Sequence, residues 1–320
     1  MKKIFINISL LIATGIITTV CISCDKENDD KHNVYVAGID GGVAMLWKNG
    51  VPQKLTDGTT SASANSVFVS GRNVYVAGKE GNVAKLWKNG IAQDLADGTT
   101  ETTAGSVYVS GKDVYVAGYE EMEDGKTVAK LWKNGKVQNL TIEGEYSMAG
   151  SVFVSGKDVY VAGSDNGAVL WTNGIAQNLA EGRRYNRAHS VFVSGKDVYV
   201  AGMIKLSKAI LWKNGVEQVL ENGTWASSVF VSDKDVYVIG AKNSSYITVA
   251  KLWKNGIDQH FTDEIMTNAG SVYVLGNHVY IAGCGRGDSG KFIAKLWKNG
   301  IAQDLTDGTY NAMAYSVFVK

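Results

Sequence analysis

The 320-residue sequence predicts an all-β fold: a seven-bladed β-propeller of four-stranded antiparallel blades. Three observations carry that prediction. A tryptophan recurs at Trp47, Trp87, Trp132, Trp171, Trp212, Trp253 and Trp297, each followed by Lys or Thr and then Asn-Gly. Upstream of each stands a Val-Tyr-[Val/Ile]-[Ala/Ile]-Gly segment, beginning at Val34, Val74, Val114, Val159, Val198, Val236 and Val279. A Ser-Val-[Phe/Tyr]-Val segment recurs at Ser66, Ser106, Ser151, Ser190, Ser228, Ser271 and Ser316. A period of about 40 residues that holds four strands is the period of a propeller blade.

The elements follow in order within each unit. Short runs of valine and aromatics bounded by glycine read as strands. The Ser-Val-Phe-Val strand joins the Val-Tyr-Val strand through a turn-rich Ser-Gly-Lys-Asp type link, which makes a hairpin. The Leu-Trp-Lys strand then turns at Asn-Gly, a pair that supports φ > 0 at both turn positions, into a fourth strand. A glutamine sits three residues past that glycine in every unit, from Gln53 to Gln303. The body opens at Val34 with the second strand of a unit and stops at Val319 with the first strand of one. The C-terminal strand is therefore expected to complete blade one and close the ring, which removes the edges an open array would expose. The predicted organisation is an export signal over 1–23, a lipidated cysteine with a charged tether over 24–33, and the propeller over 34–320.

Composition agrees. Hydrophobic residues are 45% of the chain, enough for a large core and too many for disorder. There are 37 glycines and 1 proline, a balance that suits tight turns between strands that all need their N–H groups. A formal net charge of +1, lowered further when Lys2 and Lys3 leave with the signal, supplies no electrostatic footprint for nucleic acid or for anionic lipid headgroups.

The N-terminus reads as an address. A basic start, Met1-Lys2-Lys3, precedes an apolar run from Ile4 to Ser23, the pattern of a secretory signal. The run ends in Cys21-Ile22-Ser23-Cys24, which resembles the lipobox of bacterial lipoproteins and implies Cys24 as the lipid anchor. Residues Asp25 to Lys31 form a short charged tether with no reason to fold. It resembles the acidic signals that send some lipoproteins of Gram-negative bacteria to the outer face of the outer membrane. Cleavage leaves Cys24 and Cys284 alone, so no structural disulfide is expected.

The units lack the Gly-His and Trp-Asp pairs of WD40 repeats, the paired glycines of kelch and the sialidase box. Over residues 34–319 they resemble the W-K-N-G type propeller repeats of bacterial lipoproteins. That resemblance implies a lipid-anchored propeller and is silent on activity.

Seven copies in one chain can be compared with one another. The first-to-second and third-to-fourth turns, on one face of the disc, are near-constant, whereas the second-to-third turns and the inter-blade links, on the other, vary. Rigid frames carry function on variable loops. The repeated tryptophans are expected to fill the wedges between blades, and the glutamines to bond neighbouring backbone. The ligand-binding candidates are the odd residues of the variable loops: Tyr119, Tyr146, Arg183, Arg184, Tyr185, Trp225, Tyr246 and Tyr310, with Arg187 and His189 beside them.

Catalytic and metal patterns are absent from the sequence. His32, His189, His260 and His278 are scattered, and no spacing suggests a zinc site. Cys284 reads as a loop thiol, and the acids of 120–124 as a solvated loop tip. Asp-Gly-Thr at 57–59, 97–99 and 307–309 reads as a turn after the outer strand. No catalytic residue, cofactor or metal is expected. The expectation is a monomeric, surface-exposed lipoprotein that binds a glycan or protein through the variable face and touches the membrane only through its anchor. Two other readings stand beside it: a carbohydrate-active hydrolase or lyase with carboxylates converging at the axis, and a docking platform in an outer-membrane complex.

Overall fold

Each repeat lays its four strands side by side from the axis outward. In blade two these are β4 (Ala62–Ser70), β5 (Asn73–Glu80), β6 (Val83–Lys88) and β7 (Ile91–Asp94). The structure, a computed structural model, describes residues 32–141, 146–180, 185–205, 207–243, 248–262 and 266–320. These form 28 strands in seven antiparallel four-stranded sheets. Blade one is assembled from both ends of the chain. Its strands β1 (Val34–Asp40), β2 (Val43–Lys48) and β3 (Val51–Lys54) take β28 (Ala312–Val319) as the inner strand, with Val36 opposite Val317. The ring closes as expected.

Side-chain chemistry explains why the hairpin turns of one face repeat. The asparagine of each Asn-Gly turn adopts a left-handed conformation, with φ of 52° at Asn89 and 82° at Gly90. Its Oδ1 accepts the Val74 N–H at 2.9 Å while its Nδ2 donates to Asn73 Oδ1 at 2.9 Å. Asn134 does the same with Val114 and Asp113. One asparagine thus clamps the two turns of a blade together. The lysine before it lies over the tyrosine of the second strand, as Lys88 over Tyr75 at 5.5 Å from the ring centroid. Such cation–π pairs contribute about 0.5–1 kcal/mol at exposed sites.

Between blades, the tryptophans do what the sequence suggests. All seven are 1% exposed or less. Trp87 packs against Tyr35, Ala37 and Leu46 of blade one, and Trp132 Nε1 donates to Leu95 O of blade two at 2.9 Å. The glutamines reach the next blade too: a Cβ on Gly90 would lie 2.8 Å from Gln53 Nε2. Gln259 differs, since its Nε2 donates to Ile257 O in its own strand at 3.1 Å.

Two rings surround the axis, built by β4, β28 and the other five inner strands: β8 (Glu101–Ser110), β12 (Ser147–Ser155), β16 (Arg187–Ser194), β20 (Trp225–Ser232) and β24 (Met266–Leu275). In the first, each repeat serine accepts a backbone N–H from the next blade. Val107 donates to Ser66 Oγ at 3.2 Å, and the chain of bonds runs through Ser106, Ser151, Ser190, Ser228, Ser271 and Ser316 back to Val67. In the second, Phe68, Tyr108, Phe153, Phe192, Phe230, Tyr273 and Phe318 form a closed circle with centroids 4.6–5.1 Å apart.

The aromatic circle has a definite orientation. Neighbouring planes meet at 44–57°, which brackets the seven-fold step of about 51°, so the ring planes stand parallel to the axis. Centroids at this spacing lie about 5.5 Å from the axis, and rings set face-on there would overlap at their edges. The rings therefore stack like fan blades and turn edges inward. Once carbon radii are subtracted, the passage is on the order of 4 Å across. Water passes; a sugar ring does not.

Two consequences can be measured. A chain ended before Ala312 loses one aromatic and two serine bonds of the rings, and is expected to lose its cooperative thermal transition and associate through the exposed edge of β1. A monomeric, cooperatively melting truncation would contradict closure as the source of stability. Trp171→Ala is expected to lower unfolding free energy by about 3–5 kcal/mol in denaturant titration, the range for emptying a buried aromatic site.

Candidate functional site

The inner strands begin on the variable face, and each carries a β-bulge one residue before the repeat serine. The glycine of the second strand makes room for it: a Cβ on Gly78 would lie 1.9 Å from Ser63 O. The bulged residue differs freely from blade to blade, being Asn65, Gly105, Gly150, His189, Ser227, Gly270 and Tyr315 in chain order, as does the residue two before it. The frame holds the bulge and leaves its side chain free to vary.

This layer is asymmetric. Blades three and four contribute glycine, while blade five contributes His189 and blade one Tyr315. At two of these positions the side chain spans to the next blade: Asn65 Nδ2 donates to Ala104 O at 2.9 Å, and His189 Nδ1–H donates to Ala226 O at 2.8 Å; the Tyr315 hydroxyl instead donates to Met313 Sδ in its own strand at 3.6 Å. Desolvation holds the His189 imidazole below its ordinary 6.5; the bond to Ala226 O opposes this and the Arg187 charge adds to it. Burial pushes the Tyr315 hydroxyl up.

Beside Tyr315 the seam between blades seven and one opens into a cleft of about 460 Å3. It is lined by Ile39, Gly41, Lys291, Tyr310, Asn311 and Met313, among others. Tyr310 is 60% exposed, Lys291 Nζ lies 5.7 Å from its ring centroid, and a Cβ on Gly41 would meet its Cγ at 2.9 Å. The glycine thus lets the ring lie down on the β1–β2 turn. Asp307 begins the Asp-Gly-Thr turn that leads to Tyr310. Its carboxyl is held low by the Thr309 N–H, which donates to Oδ1 at 2.8 Å. Asp40 is pushed up by burial and by the charge of Asp307, against a smaller pull from Lys54. The cleft offers an aromatic face, an ammonium and an amide.

The predicted residues are dispersed around the ring. Tyr310 and Tyr185, the latter 48% exposed, stand in inter-blade links as expected. Trp225, Arg187 and His189 do not: Trp225 opens β20, and the other two lie in β16. A strand that starts two residues before the bulge reads as a link, because the pattern before the serine is irregular. Tyr119 lies within β9 (Asp113–Glu121), opposite Ala129, and Tyr146 bridges Thr127 of the same blade. Arg183, Arg184, Tyr246 and Cys24 lie outside the described residues. Tyr310 is joined in its cleft by Tyr315, which sequence reasoning missed. Comparison of the seven bulge positions is the signal that finds it.

Other features resolve into structure. Cys284 is not a loop thiol: it sits in β25 (His278–Arg286) at 1% exposure. Burial pushes Glu120 up, but its bonds to Lys130 and Thr100 outweigh this and hold it below its ordinary value. The Asp-Gly-Thr segments are turns, with Thr59 N–H donating to Asp57 Oδ1 at 2.8 Å. Among the described residues no group of three His, Cys, Asp or Glu side chains could hold a metal. The inner strands carry one carboxylate, Glu101, ion-paired with Lys79 at 2.5 Å. Among the described residues, the inner strands themselves bring no second carboxylate beside Glu101.

Known proteins share this architecture. The WD40 β-propeller domain of Doa1 matches with a TM-score of 0.52 and 15% identity, over 79% of this chain and 86% of that one. A puromycin-hydrolyzing peptidase of Mycobacterium tuberculosis matches with a TM-score of 0.56 and 9% identity. That match covers 86% of this chain and 53% of the peptidase, so this chain spans about half its length. The chain is a β-propeller; identities this low carry the fold alone. No protein-family model and no curated protein matches the sequence.

The His189 bond generates a pH prediction. Its folded value lies below that of the unfolded chain, so the unfolded state takes up the proton first and stability falls as pH drops below 6.5. His189→Asn, which copies Asn65 in blade two, is expected to keep the bond to Ala226 O and flatten that part of the profile. Thermal melts between neutral and mildly acidic pH check it; an unchanged slope would assign the pH dependence to other groups.

Proposed function

We propose that this chain is a surface-exposed outer-membrane lipoprotein of the W-K-N-G propeller type that captures a glycan through its variable face. The cleft between blades seven and one supports the ligand assignment most directly. Tyr310 presents an exposed ring, and Lys291 and Asn311 stand beside it, the combination that stacks on the apolar face of a sugar while bonding its hydroxyls. The narrow aromatic circle favours entry from the variable face, because a pyranose does not fit through from the other. The anchor reading rests on Ser23-Cys24 at the end of the apolar run and on the charged tether.

A glycan array and polysaccharide-affinity gels run on residues 25–320 test the ligand. Binding is expected, with Tyr310→Ala weakening it tenfold or more, the usual effect of truncating an aromatic anchor. Silence across the array, with a protein captured instead by cross-linking on intact cells, would move the assignment to a protein ligand. For the anchor, Cys24→Ser is expected to abolish acyl labelling and release the protein from the membrane fraction.

A further inference from the structure

The variable face draws the eye, but the constant face carries its own chemistry. At the tips of the inner hairpin turns of blades two to six stand Arg72, Lys112, Lys157, Lys196 and Lys234, all exposed. Three of the five acids in these turns are neutralised from within: Asp113, Asp197 and Asp235 pair with Lys133, Lys213 and Lys254 of the neighbouring turn at 2.9, 2.8 and 2.6 Å, while Asp158 accepts from Asn173 Nδ2 at 2.8 Å and Asp233 precedes Lys234. No such ion pair engages the five tip cations among the described residues. They stand at equivalent turn positions in five consecutive blades. The whole chain has a formal net charge of only +1, so this surplus of cation is matched by surplus carboxylate elsewhere. A molecule polarised in this way is oriented by a charged plane.

Two further observations identify the plane. Around the rim of the same face, the first residue after Asn-Gly is an exposed aliphatic in every blade but the third, which has Lys136: Ile91, Ile175 and Ile301 are 77%, 76% and 77% exposed. Cations over the disc with isolated aliphatic side chains at its margin suit a lipid headgroup layer, where ammonium groups meet phosphate and short apolar groups enter the interface. A nucleic acid would instead ask for a groove with stacking aromatics. The body also begins on this face. Asn33 N–H donates to Lys320 O at 2.6 Å, and Asn49 Nδ2 donates to Asn33 Oδ1 at 3.0 Å, which ties the entry of the chain to the first Asn-Gly turn. The tether from Cys24 to Asn33 spans at most about 30 Å when fully extended.

We propose that the constant face is a docking surface for an anionic phospholipid bilayer, so that the disc lies on its anchoring membrane with the variable face outward. The orientation rests on the lipid-anchor reading; the docking does not. The five turn-tip cations supply attraction to lipid phosphate, and the rim aliphatics supply shallow apolar contact. Repetition of the constant turns then has a second use beyond clamping the blades: it places like charge at the same position of five consecutive blades.

The test uses residues 25–320, which carry no acyl chain and include the whole compact unit Asn33–Lys320. Co-sedimentation is measured with vesicles of phosphatidylcholine alone and of phosphatidylcholine mixed with phosphatidylglycerol. Binding is expected to the anionic vesicles only, and to fall as salt is raised. Lys157→Gln is expected to weaken it about fivefold and the five-site Gln variant to abolish it, each cation contributing a similar factor. Thermal melts should match the unmodified protein, because the tips make no ion pairs. A variable-face control, Lys205→Gln with Lys208→Gln and Lys242→Gln, is expected to bind as before. Absence of binding at low salt, or equal loss in the control, would overturn the proposal. Acyl labelling of Cys24 separates the two readings: a labelled protein whose body ignores anionic vesicles refutes docking alone, and an unlabelled one whose body binds them refutes the anchor alone.

Discussion

The structure depends on the contact that one inner strand makes with the next. Each repeat serine accepts an N–H from the following blade, and each repeat aromatic stacks on the following aromatic, until Ser316 and Phe318 meet Val67 and Phe68. A single such bond contributes about 1 kcal/mol, and a single aromatic pair about as much. Their weight comes from closure. A four-stranded blade leaves both faces of its sheet apolar, and only neighbours on each side bury them; in a ring every blade has two. Because β28 comes from the far end of the chain, no blade is terminal and no inner edge is left for another molecule to pair with.

Closure also explains how one face can be constant while the other diversifies. On the constant face, asparagine, lysine and tyrosine clamp the adjacent turns of each blade to one another. The bulge on the opposite side works differently. Its geometry is set by backbone and by a glycine opposite it, which places no demand on the bulged side chain itself. Asn65, His189 and Tyr315 can therefore stand in equivalent positions without disturbing the ring. Variation is concentrated where the frame is indifferent to it.

The two faces follow different electrostatics as a result. Repetition of a lysine-bearing turn accumulates positive charge on the clamped side, since each copy adds the same sign. The variable side accumulates aromatic, amide and carboxylate groups singly, and the cleft at the seam of blades seven and one is where several meet. Seams are natural places for such a cleft, because the closing strand arrives through its own link, with Tyr310 in it, rather than as a continuation of β1.

Much of this was legible in the residues. Seven Trp-[Lys/Thr]-Asn-Gly blocks, the Val-Tyr-Val and Ser-Val-Phe-Val strands and the complementary chain ends determine blade number, strand order and closure, because these depend on local periodicity and turn chemistry that a short window contains. Placement of the tryptophans between blades was legible for the same reason. The site was legible only in part. Tyr310 sits in a link, as its neighbourhood of Asp, Gly and Thr suggests, but Trp225, Arg187 and His189 turned out to belong to strands. Their assignment depends on a bulge whose partner glycine lies about fifteen residues away in sequence and across a hairpin in space. What the tertiary structure alone decided is which residues face the axis, how narrow the aromatic passage is and that Tyr315 joins Tyr310. Those are relations between blades, fixed by the angle at which whole sheets pack, and no single repeat encodes them.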